Sequence, residues 1–124
     1  MVRAIQALFL FLALASSASG KAASFQFPSA EPVQVTVLSG NANPQRWVLQ
    51  PSSAKHAQLL RWLGENQSGW SPYVATEPGF GLLVEAGGAR LHFVGSSVLA
   101  CRPAMSCLAK RVKRNGYAFL LHQQ

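Results

Sequence analysis

The chain has 124 residues, 11 Lys and Arg against four Glu, and no Asp, a formal net charge of +7. Without Asp, and with Glu31, Glu65, Glu77 and Glu85 scattered, there is little material for paired-carboxylate catalysis. Seven prolines, ten glycines and 49% apolar residues exclude a disordered or fibrous chain and fit one folded unit.

Met1 to Ala22 reads as a secretory signal peptide. Arg3 supplies a positive start, Ala4 to Ala15 an apolar run broken only by Gln6, and Ser16 to Gly20 the small residues a signal peptidase needs. The run is too short to span a hydrocarbon core about 30 Å thick as a helix. Cleavage is expected after Ala18, Gly20 or Ala22. Residues 1–20 are taken as the leader and 21–124 as a single domain working in the periplasm or outside the cell. Loss of Arg3 leaves a net charge of +6. No cysteine near the cleavage region offers a lipid anchor, and no second long apolar run follows, so a soluble chain that does not span a membrane is expected.

Lys21 to Ala30 carries alternating Phe25 and Phe27, and reads as a short edge strand or a partly ordered arm. Val33, Val35 and Val37 then alternate with polar residues, the period of a half-buried strand. Ser39 to Pro44 is turn chemistry, and Arg46 to Leu49 reads as the returning strand, with Trp47 in it. Ser52 or Ser53 can cap a helix, where His56, Leu59, Leu60 and Leu63 make one apolar stripe with Trp62 beside it. This helix is expected over about residues 52–66, ended by Gly64 or Gly69. An irregular connection follows, from Ser68 to Pro78-Gly79.

Gly81 to Val94 is the clearest local structure. Gly87-Gly88 suits a two-residue hairpin turn, setting Ala86 opposite Ala89, Glu85 opposite Arg90, Val84 opposite Leu91, Leu83 opposite His92 and Leu82 opposite Phe93. One face collects Leu82, Val84, Leu91 and Phe93. The other carries a Glu85–Arg90 charge pair beside Leu83 and His92. A one-residue slip would lose both matches. Gly95 to Ser97 makes a further turn, and Val98 to Arg102 a further strand.

Beyond Pro103 two arrangements fit. Met105, Leu108 and Val112 are spaced for a short helix. Alternatively Pro103 to Ser106 is a turn and Cys107 to Val112 a strand, which is preferred because Cys101 and Cys107 then face each other across a hairpin. In an exported chain two cysteines pair, and a loop this short stabilises by about 2 kcal/mol. Asn115-Gly116 turns the chain into a last apolar segment, Tyr117 to Leu121. The fold expected is α+β: an antiparallel sheet of about five to seven short strands with one main helix packed on one face.

No catalytic motif appears. There is no G-x-S-x-G, H-E-x-x-H or nucleotide-binding glycine loop, and Ser96-Ser97 near His92 is ordinary turn chemistry. His56 reads as a packing residue, and Trp47, Trp62 and Trp70 as core. No cofactor or metal is called for. After Glu85 every charged residue is basic: Arg90, Arg102, Lys110, Arg111, Lys113 and Arg114. Lys110, Arg111, Lys113 and Arg114 are the candidate contacts for an anionic partner, either an envelope ligand or an acidic protein patch. Nucleic acid is not expected, since export removes the protein from it and the segment lacks interleaved aromatics.

Leu60 to Trp70 has the form L-x-W-L-x-x-N-x-x-G-W. With Pro78-Gly79, the hairpin and Leu91-His92-Phe93 after it, residues 50–100 resemble small exported bacterial proteins of poorly defined function, some of which are immunity proteins against interbacterial toxins. The resemblance implies a shared fold and a non-enzymatic binding role, with a toxin as partner. It assigns no catalytic or binding residue and sets no oligomeric state.

Overall fold

Among the described residues, seven antiparallel strands form one open sheet, with one α-helix on one side. The computed structural model describes residues 25–40, 43–103 and 106–122. The expected signal peptide and its cleavage points lie outside the described residues. The strands are β1 (Val33–Leu38), β2 (Gln45–Leu49), β3 (Ser71–Tyr73), β4 (Gly81–Ala86), β5 (Ala89–Val94), β6 (Ser97–Cys101) and β7 (Cys107–Arg111), and the helix α1 is Ala54–Glu65. Their order across the sheet is β2-β1-β4-β5-β6-β7-β3.

The β4–β5 hairpin has the register expected from its side-chain pattern, from Leu82 opposite Phe93 to Ala86 opposite Ala89. Gly87 and Gly88 turn it with φ of 53° and 82°, a conformation that side chains with a Cβ rarely adopt. Strand alternation sends Val33, Val35, Leu82, Val84, Leu91, Phe93, Val98 and Ala100 to one face, all buried. Helix α1 covers that face with His56, Leu59, Trp62 and Leu63. Trp62 meets Phe93 edge-on at 5.1 Å, and Tyr117 stacks on Phe93 at 4.5 Å.

The helix starts where Ser53 Oγ accepts a hydrogen bond from the His56 amide at 3.1 Å. Neither Gly64 nor Gly69 ends it. Asn66 does, because its side chain donates to the Trp62 carbonyl at 2.8 Å and Gln67 donates to the Leu63 carbonyl at 2.9 Å. These bonds satisfy carbonyls that the last turn leaves free.

Residues 25–32 form no strand. They pack as an arm, with Phe25 buried against Phe27 and Trp70 under the Arg102 guanidinium. The Glu31 carbonyl accepts from His56 Nε2 at 2.9 Å, so His56 is a core residue as expected. Trp62 and Trp70 are buried, but Trp47 is only partly so.

Ser71–Tyr73 is a further correction. This part of the expected irregular connection is an edge strand, paired with β7. Pro72 tolerates that position because an edge strand leaves one side of its backbone unpaired. At the C-terminal end Cys107–Arg111 is a strand, and Tyr117 leads into a 3₁₀ turn over Ala118–Leu121.

Cys101 and Cys107 form a disulfide across the β6–β7 hairpin, their Cα atoms 4.3 Å apart. Replacing both with Ser is expected to lower stability by about 2 kcal/mol, read as a lower urea midpoint at unchanged slope. A change of slope instead would mean that the bridge shapes the unfolded chain's compactness.

Candidate functional site

The sheet order imposes a crossing. Strand β3 lies at the edge beside β7, whereas β4, which follows it in sequence, lies beside β1 and β5. The connection from Val74 to Phe80 therefore passes over β7, β6 and β5. It does so on the face opposite the helix, where Thr36, Leu83, His92 and Leu99 form one cross-strand row.

Glu77 fastens this connection to the sheet. Its carboxylate takes two hydrogen bonds from Arg90, at 2.6 and 3.1 Å, in the fork geometry that suits a guanidinium. His92 Nδ1 lies 3.1 Å from the same carboxylate, and His92 Nε2 lies 2.7 Å from the Phe80 carbonyl. A carbonyl only accepts, so Nε2 carries the donated hydrogen. His92 is 1% exposed and engages the connection through both ring nitrogens.

The Glu85–Arg90 charge pair expected from the register does not form as a contact. The two residues do face each other, but the guanidinium turns to Glu77, which offers both carboxylate oxygens. Burial works against ionisation of Glu77. The hydrogen bonds and charges of Arg90 and His92 together outweigh it and hold the carboxyl below its ordinary range. Because these groups are committed to one another, the cluster acts as a clasp. Among the described residues no group of three or more His, Cys, Asp or Glu side chains is placed to hold a metal ion.

The clasp ends at Phe80, whose carbonyl is held while its side chain is 56% exposed. The next residue, Gly81, has φ of 115°, and a Cβ there would lie 2.5 Å from the Phe93 carbonyl oxygen. Only glycine lets the connection enter β4 at this angle. Phe80 borders a groove of about 300 Å³, with Leu82, Phe93 and Tyr117 among its lining residues and partly exposed Leu121 beside them. The exposed Arg114 also lines it, and no carboxylate does. Tyr117 is tied down by a 2.6 Å hydrogen bond from its hydroxyl to the Gly95 carbonyl. A second, more polar groove of about 570 Å³ runs past Gln34, Glu85, Arg90 and Pro103.

The four basic candidates are not gathered into one patch. Lys110 donates to the Ser68 carbonyl at 2.6 Å. Arg111 and Lys113 line a groove with Trp62, Glu65 and Asn66, and Arg114 lines the apolar one. Glu77, Phe80 and Leu121 were not singled out by sequence reasoning. The signal available was an acid and an aromatic flanking Pro78-Gly79, in a segment that otherwise reads as a plain loop. Comparison with known protein families, with characterised proteins and with solved structures finds no match for this chain.

Proposed function

We propose that this is a non-enzymatic binding protein of the periplasm or extracellular space, an immunity-type inhibitor of a cell-envelope-acting toxin. The observation that carries this reading is Phe80. A large aromatic side chain stands exposed on a backbone fixed by His92, Glu77 and Gly81, beside a groove with an apolar floor. Fixing an anchor before binding lowers the ordering cost of association, and aromatic anchors next to pockets dominate protein interfaces. Arg114 would add attraction for an acidic toxin surface. The disulfide fits an oxidising compartment, and no helix among the described residues is long and apolar enough to cross a membrane.

The test is co-expression with toxins encoded beside its gene. The protein is expected to form a complex and protect the cell. Phe80→Asp is expected to weaken the complex about thirtyfold, roughly 2 kcal/mol, with its thermal midpoint unchanged because the ring is mostly outside the core. Absence of both complex and protection overturns the reading.

A second reading is binding of an anionic envelope ligand. It is favoured by Arg111, Lys113 and Arg114, which are exposed and form no ion pair among the described residues. Such binding would weaken steeply with salt, while loss through Phe80→Asp with little salt dependence separates the two.

A further inference from the structure

We propose that the outer edge of β2 takes up an extended acidic segment of a partner protein as an eighth strand. Among the described residues no strand pairs with β2 on that side. Its backbone therefore presents a row of N–H and C=O groups that another strand satisfies best. The two ends of the sheet differ in what they offer. Strand β3 has three residues, one of them Pro72, which donates no hydrogen bond. Strand β2 has five residues, no proline and an unbroken register with β1 from Val33–Leu49 to Val37–Gln45. The devices that blunt an edge are present at β3, whereas β2 carries only the charge of Arg46.

The side chains along β2 name the occupant. Arg46 and Val48 are exposed and share the face opposite the helix, while Trp47 projects to the helix side. A cleft of about 400 Å³ follows the strand from Arg46 to Gln50 and reaches Ser53 and Lys55 at the start of α1. Its two charged residues are both basic. An added strand with acids on the Arg46 side meets both requirements, backbone pairing and charge. A second copy of the chain fits less well, since it brings another strongly basic surface to the same edge.

This surface is separate from the Phe80 groove, so each can fail without the other. The probe is an octapeptide of alternating Glu and Thr, capped at both ends, and the readout is hydrogen exchange of the β2 amides. Protection of the outward-facing amides is expected to rise about tenfold or more at saturation. N-methylating alternate residues gives two blocked peptides. One is expected to lose binding and the other to keep it, because only alternate amides of a strand face its neighbour. A Lys-Thr octapeptide is expected to give no protection, and Arg46→Glu to weaken the Glu-Thr peptide about tenfold. The proposal is overturned by absence of protection, by indifference to the frame of methylation, by equal binding of the Lys-Thr peptide, or by self-association of the protein through β2.

Discussion

Phe93→Ala is expected to lower the stability of the fold by about 3–5 kcal/mol, the usual cost of emptying an aromatic site in a packed core. Phe93 is 1% exposed and joins three parts of the molecule. It sits between Leu82 and Val98 in its cross-strand row, its ring meets Trp62 of the helix, and Tyr117 of the C-terminal segment stacks against it. Truncation leaves a space bordered by the sheet, the helix and the apolar groove, and the covalent framework of the strands limits how far they can close on it. Equilibrium urea unfolding measures the effect, with the slope expected to stay constant. Phe93→Leu, which keeps most of the volume, is expected to cost less than half as much. A loss below about 1 kcal/mol for Phe93→Ala would mean that the helix is not packed on the sheet through this ring.

His92→Leu is the second large effect, at about 2 kcal/mol. The substitution keeps the site filled but strips the Phe80 carbonyl and one Glu77 oxygen of their partner. Amides from Val74 to Phe80 are expected to exchange faster, while those of β1 and β4 stay slow. The native protein should show a related acid sensitivity. Glu77 is held below its ordinary range when folded, so it contributes stability above the unfolded carboxylate pKa of 4.5 and loses it as pH falls through the folded value. Glu77 and Arg90 remain partly solvated, with side chains 28% and 36% exposed, which keeps this charge-dependent part below about 1 kcal/mol. Thermal midpoints taken from pH 7 to pH 3 should therefore fall more for the native chain than for Glu77→Gln. Equal slopes would remove the clasp from the account of stability.

Elements built from neighbouring residues were legible in the sequence. The Gly87-Gly88 hairpin carries its own register, because a one-residue slip would put Leu91 and Phe93 on the opposite face from Leu82 and Val84. The helix start at Ser53 and the cross-strand Cys101–Cys107 pair rest on local spacing in the same way. What escaped depends on residues far apart. Ser71–Tyr73 is a strand because Cys107–Ala109 arrives to pair with it, and nothing in Ser-Pro-Tyr itself announces that partner. Arg90 has two acids within reach, and the choice of Glu77 over Glu85 follows from the path of a connection whose course no local pattern sets. The helix ran past Gly64 and stopped short of Gly69 because Asn66 and Gln67 could satisfy its last carbonyls, a local solution open to many polar side chains and so without a distinctive signal. The basic run Lys110 to Arg114 reads as one patch in a line of text. As a strand followed by a turn, it ties Lys110 to the Ser68 carbonyl, places Arg111 and Lys113 along one groove and Arg114 along another.

The placement of β3 beside β7 has a consequence for the order of assembly. Ser71 waits for Ala109, so this pairing closes only after nearly the whole chain is in place. Until then the segment bearing Glu77 is held only at its β4 end and by the bonds to Arg90 and His92 of β5. A ribosome-bound or C-terminally truncated chain ending before Cys107 would hold the β4–β5 hairpin but not the far anchor of the Phe80 segment. The last strand thus supplies the second anchor of this connection, and only the finished chain holds the segment at both ends.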